Sequence, residues 1–198
     1  MREHPGVQRR AQDGLTRIIG ANGLPEFSDQ ANLPYIQAVY LEVMRWIPVL
    51  LFSLTHTTTQ DDVLQGLLIP KGCLVIGNTW AILINEDTYP DPRSFKPDRF
   101  WTLEGELMSE NTDVRSVLAY GYGRRVCTSR HFADALVWKV MACVLASFDV
   151  ERSKGDELEA LEQLEDMFIQ GLIVYAAPFK CSITPRTPAI AELIYRQN

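Results

Sequence analysis

The residue with the most chemistry to offer is Cys127, the last position of the run Tyr120-Gly121-Tyr122-Gly123-Arg124-Arg125-Val126-Cys127. Just beyond it, Phe132, Leu136, Val140 and Val144 recur at four-residue steps, with no Gly or Pro between Thr128 and Ser147, and this pattern predicts a long helix. The cysteine therefore stands at a loop-to-helix junction, where backbone N–H groups and the positive end of the helix dipole stabilise a thiolate, the metal-ligating form. Gly121 and Gly123 permit positive φ in a tight turn and leave no side chain where backbone meets a bound group. The Arg125 fork suits a carboxylate. A cysteine taken alone is more often a small buried hydrophobe, and that reading is kept for Cys73, Cys143 and Cys181.

Two other places carry candidate chemistry. Glu42 and Arg45 stand three apart on a predicted helix, on one face, and can form an ion pair. His56 falls on a predicted strand soon after that helix, where it could donate to a carboxylate or serve as an ordinary structural residue.

The elements that must position these residues are legible in outline. Val7, Ala11, Leu15, Ile18 and Ile19 predict a helix over residues 5 to 19, closed by Gly20 and Asn22-Gly23. Asn32 is read as the cap of a second helix, with Pro34 in its first turn and Pro48 ending it. Short β-rich runs over 50–59, 67–70 and 73–78, separated by Asp61-Asp62, Gly66 and Pro70-Lys71-Gly72, predict one small sheet. Thr79 to Ile84 has room for one or two helical turns. The prolines from Tyr89-Pro90 to Phe100 leave little regular structure. Arg152 to Asp166 reads as an acidic, partly helical insertion, and Leu172 to Thr184 as a final β-hairpin.

Bulk properties exclude several classes. The chain has 198 residues, 46% of them hydrophobic, enough for one core. A net charge of −6 argues against a nucleic-acid footprint. The four cysteines form no Cys-x-x-Cys pair, which argues against a structural zinc site. Residues 1–10 lack the apolar segment of a signal peptide, and no apolar run approaches the roughly 20 residues that span a bilayer.

The cysteine run resembles the signature of the cytochrome P-450 family, Phe-x-x-Gly-x-Arg-x-Cys-x-Gly, with Gly123, Arg125 and Cys127 in register, Tyr120 in place of Phe and Ser129 in place of Gly. Further likenesses are Leu33-Pro34-Tyr35 opening a Glu-x-x-Arg helix, Ile69-Pro70-Lys71-Gly72, Asn78-Thr79-Trp80-Ala81, Phe95-Lys96-Pro97-Asp98-Arg99-Phe100 and Pro178-Phe179-Lys180-Cys181, together of fungal type.

The resemblance implies an α+β, mainly helical fold with small β-sheets, one partial domain over 1–198 corresponding to the carboxy-terminal half of the family. It implies haem b as cofactor, with Cys127 as axial iron ligand and Tyr120, Gly121, Gly123, Arg125 and His56 around it; Thr57 stands where an Arg is often found. Glu42, Arg45 and Arg99 would form a buried charge network. Val49, Leu50 and Phe52, with Gly171 and Leu172, border the substrate pocket in this family, although plain core would look the same. The implied reaction is insertion of one oxygen atom from O2 into a hydrophobic organic substrate, fed by an NADPH-dependent reductase. Arg124, Arg130, His131 and Lys139 would receive that reductase, or simply form a solvated face. Full-length relatives are usually anchored in the endoplasmic reticulum; this chain, as it stands, reads as cytoplasmic or of unknown location. The distal acid and Thr of the family have no counterpart here, so the stretch is expected to be inactive alone, with no catalytic residue of its own. Faces of the first two helices are expected to expose an apolar patch and invite aggregation or a partner. The competing reading is a non-enzymatic remnant or interaction module without haem.

Overall fold

The computed structural model describes residues 1–101, 107, 119–153, 168–169, 171 and 173–196. Three helices make its centre: α1 (Pro5–Ile19), α2 (Pro34–Trp46) and α4 (Arg130–Ser147), with the short α3 (Thr79–Leu83) between the second and the last. Ala11 and Leu15 of α1, Ile36, Val39 and Tyr40 of α2, and Trp138, Ala142 and Leu145 of α4 are buried together. Full burial of a large apolar side chain contributes about 1.5–3 kcal/mol. No described helix is long and apolar enough to cross a membrane.

α2 is capped differently from the sequence expectation. Asn32 ends a 3-10 helix, Phe27–Asn32, and buried Leu33 takes the N-cap position. Pro34 at the first helical position has no N–H to satisfy. The helix stops at Trp46, before Pro48.

The expected single sheet is two separate antiparallel ladders. β1 (His56–Thr57) pairs with β4 (Leu74–Val75), and β2 (Asp62–Leu64) with β3 (Leu67–Ile69). Gln65 and Gly66 both have positive φ between paired Leu64 and Leu67, a two-residue turn matched to strand twist. Asp62 thus opens a strand where it was read as a separator, and Leu50–Leu54 is turn rather than strand.

Nor is the carboxy-terminal region one hairpin. β6 (Phe168–Ile169) pairs with β7 (Tyr175–Ala176), but β8 (Ser182–Pro185) pairs with β5 (Phe148–Glu151), which leaves α4 without a connecting loop. Two buried glutamines of α1 hold β5: Gln8 Oε1 accepts from Val150 N at 3.1 Å, and Gln12 Nε2 donates to Phe148 O at 3.1 Å. A last helix, α5 (Pro188–Tyr195), is N-capped by Thr187, whose hydroxyl accepts from Ile190 N. Leu172 and residues 154–166 of the acidic stretch lie outside the described residues.

The apolar stripe that announced α4 is not its core face. Trp138, Ala142 and Leu145 turn toward α1 and α2, while Phe132, Leu136, Val140 and Val144 are exposed, Phe132 at 71%. Exposed large apolar side chains thus stand on α4 and on the β2–β3 hairpin (Val63, Leu64, Leu67 and Leu68), while the first two helices contribute Ile18 and Val43.

Near the amino end of α1, His4 packs against Phe95 (ring centroids 4.7 Å) and Trp46 (6.0 Å). Burial pushes the His4 imidazole pKa below its ordinary value. Below about pH 6.5 the unfolded chain takes up a proton there that the folded chain resists, so stability falls as pH drops. His4→Phe should flatten that fall, read as a smaller difference in urea midpoint between pH 7.5 and 5.5 than in the parent chain.

Candidate functional site

The loop ending at Cys127 closes on itself. Cys127 N donates to Tyr120 O at 2.9 Å, and a 3-10 turn, Gly123–Arg125, lies between. Gly121 and Gly123 have φ of +91° and +57°, and a Cβ built on either would meet nothing within 4 Å. Both are therefore conformational glycines facing open space. Ser129 is the N-cap of α4 with ordinary right-handed backbone (φ −92°), so a non-glycine residue fits there without strain. Its side chain makes no capping bond, and the first helical N–H, that of Arg130, donates instead to the Cys127 carbonyl at 3.4 Å.

This loop forms one wall of a cleft of about 790 Å³, opposite the 50–56 segment and the β4 end. Tyr120, Gly121, Arg125 and Cys127 meet His56 and Leu50 there, joined by Leu54, Val75 and Arg124. Cys127 is an exposed thiol, whereas Cys73, Cys143 and Cys181 are partly buried. The described lining holds two arginines and a histidine, and no carboxylate. Its two arginines and histidine suit a ligand that carries acidic groups. Gly123 sits in the loop but not in the lining. Val49 and Phe52 are exposed outside it, as is Gly171, and Leu172 is undescribed. Val174 N does donate to Val49 O at 2.8 Å, which joins the two segments flanking the cleft.

Behind the loop lies a buried ion network. The Arg45 fork donates to Glu42 from Nε at 2.7 Å and Nη2 at 2.9 Å, and its Nη1 donates to Leu83 O at 3.0 Å. Arg99 Nε reaches Glu42 at 3.1 Å, while Lys96 N donates to Glu42 Oε1 at 2.7 Å. Arg99 also holds the carbonyls of Pro90, Asp91 and Ser94, which pins the proline-rich stretch to α2. Glu42 and Arg45 are both 0% exposed.

Further residues escape a reading by motif. Tyr122 places its hydroxyl 2.8 Å from the Thr79 hydroxyl, and the Tyr120 hydroxyl lies 3.1 Å from that of Tyr40, which donates in turn to Asp134. Tyrosines beside the cysteine were the available signal, since a buried phenol needs a hydrogen-bond partner. Of the four residues read as a docking surface, Lys139 is occupied by Pro25 O and lies 5.3 Å over the Phe27 ring.

Gly77 permits the docking of Tyr122. A Cβ there would stand 2.6 Å from the Tyr122 ring and 2.8 Å from Ser53 Oγ. Gly77→Ala should push the ring off Thr79 and cost about 1–3 kcal/mol, the usual range for overpacking, measurable as a lowered thermal midpoint.

The family model described as Cytochrome P450 matches residues 1–174. Similar full proteins are fungal. A cytochrome P450 monooxygenase of Armillaria gallica is 40% identical over 198 residues, covering 98% of this chain and 37% of that protein. Cytochrome P450 monooxygenase 105 of Postia placenta is 37% identical, over 94% of this chain and 35% of its own length. Cytochrome P450 monooxygenase claR of Ampulloclitocybe clavipes is 36% identical, over 96% and 35%. The chain thus spans little more than a third of the length of these relatives. With its cysteine loop, its Glu-x-x-Arg helix and a family match over most of its residues, the chain belongs to the cytochrome P450 family.

Proposed function

We propose that this chain is the cysteine-bearing, carboxy-terminal portion of a haem-thiolate monooxygenase, with haem b held through Cys127. The observation that carries this reading is the exposed thiol of Cys127 in a cleft whose described ionisable neighbours are mainly basic. When bound there, haem supplies an iron that activates O2, and a thiolate ligand favours O–O cleavage by pushing electron density to the metal.

The chain's own residues bind, orient and exclude water. Cys127 Sγ would provide the iron ligand from the loop that leads directly into α4. Gly121 and Gly123 supply the positive φ that the loop turn requires. Arg125, with Arg124 and His56, offers donors to the ligand's carboxylates. Leu50, Leu54 and Val75 give the opposite wall an apolar surface that excludes water and suits a hydrophobic organic substrate. Electrons would come from a reductase. Arg124, Arg130 and His131 support its docking, while the contacts of Lys139 hold that side chain to Pro25 and Phe27.

Haemin titrated into the chain, then reduced and exposed to carbon monoxide, tests the reading. A strongly red-shifted Soret band supports thiolate ligation. Absence of binding, or a band typical of neutral imidazole ligation, overturns it.

A further inference from the structure

We infer that Tyr40 and Asp134 are positioning residues for Cys127: a directional chain of hydrogen bonds, from Tyr120 to Tyr40 to Asp134, ties the cysteine loop to α2 and α4.

The direction follows from donor and acceptor chemistry. The Tyr40 hydroxyl donates its only proton to Asp134 Oδ1. Its oxygen is left to accept, so the Tyr120 hydroxyl, 3.1 Å away, is the donor in that pair. Burial, reinforced by the bond to Asp134, holds the Tyr40 hydroxyl well above the ordinary phenol range, so it stays a donor. Burial also raises Tyr120. Asp134 acts on the Tyr120 hydroxyl as well, so that hydroxyl is held toward both α2 and α4.

Geometry connects this chain to the sulfur-bearing residue. Tyr120 uses its side chain on Tyr40 and its carbonyl on Cys127 N, at 2.9 Å. Fixing the Tyr120 ring therefore fixes the acceptor that closes the cysteine loop. Tyr40 is itself immobile, with 1% exposure in the α2 core, and Asp134 stands on the second turn of α4. One phenol thus links three elements: the loop, the helix before it and the helix after it. The tether stands without haem; its bearing on iron ligation rests on the function proposed above.

Amide hydrogen exchange in the 198-residue chain tests it, with Tyr40→Phe, Tyr120→Phe and the double variant. Each single variant should speed exchange at Cys127 N–H roughly fivefold to tenfold, the loss of about one hydrogen bond. The double variant should be no faster at Cys127 than either single one, since both remove the same link. Exchange at Leu41 and Ala142, inside α2 and α4, should not change, whereas a merely structural role would accelerate those amides too. Unprotected Cys127 N–H in the parent chain, unchanged rates in the variants, multiplied effects in the double variant, or equal acceleration in the helices each overturns the inference. A parallel haemin titration separates the two readings. A chain that shows the exchange pattern but binds no haemin keeps the tether and loses the proposed function.

Discussion

Glu42→Ala should remove about 3–5 kcal/mol of folding stability, the cost of leaving a buried charge without its partner. Glu42 accepts from Arg45 Nε and Nη2, from Arg99 Nε and from Lys96 N, and it has no exposure to water that could replace them. Without the carboxylate, Arg45 keeps, among the described residues, the Leu83 carbonyl and the Tyr89 ring, 5.5 Å from its guanidinium carbon. Against a typical stability of about 5–15 kcal/mol, that loss is a large fraction of the total. Arg45→Lys should fall only part of the way back, because an ammonium cannot reproduce the two-pronged contact. Arg99→Ala should cost less than either, since its side chain is 10% exposed and water can reach the carbonyls it releases. Urea midpoints by circular dichroism would give this order, and an Arg99 variant less stable than the Glu42 variant would refute the ranking.

The second large effect leaves the fold alone. Cys127→Ala should abolish the red-shifted Soret band of the haemin-loaded, carbon monoxide-treated chain while moving the unfolding free energy by less than about 0.5 kcal/mol. Cys127 is exposed, so its side chain leaves no buried cavity when truncated. Loop closure uses the backbone N–H of residue 127, which alanine retains. Retention of the band in the alanine variant would place the iron elsewhere. A band lost together with the fold would instead show that Cys127 is structural.

How much of this was legible beforehand follows from which interactions are local. α1 was readable from apolar spacing and a closing glycine because both act within one turn. The cysteine was readable as a loop-to-helix junction because glycines and an uninterrupted apolar pattern flank it. β5 and its pairing with β8 were not, because β5 is held by β8 and by Gln8 and Gln12, the last two more than a hundred residues away in sequence. α5 carried a signal that went unused, Thr187 followed by Pro188, the chemistry of an N-cap and first turn. In the site, the Glu-x-x-Arg spacing foretold one ion pair, while the roles of Leu83 and Lys96 as backbone partners have no side-chain signature. Tyr40 was hidden for a different reason. Its ring counts as apolar in the stripe that defines α2, and only three dimensions show that its hydroxyl faces Asp134. The stripe on α4 foretold the helix itself, while periodicity reports that a face is apolar without saying which face is covered.

That last helix gives the chain the character of a surfactant. α4 carries Trp138, Ala142 and Leu145 inward and Phe132, Leu136, Val140 and Val144 outward, so it is wetted poorly on both sides. Its dispersion in water should accordingly depend on concentration and on mild detergent, in the way that micelle-forming molecules do. Dilution series, rather than single preparations, are then the appropriate setting for the haemin and exchange measurements.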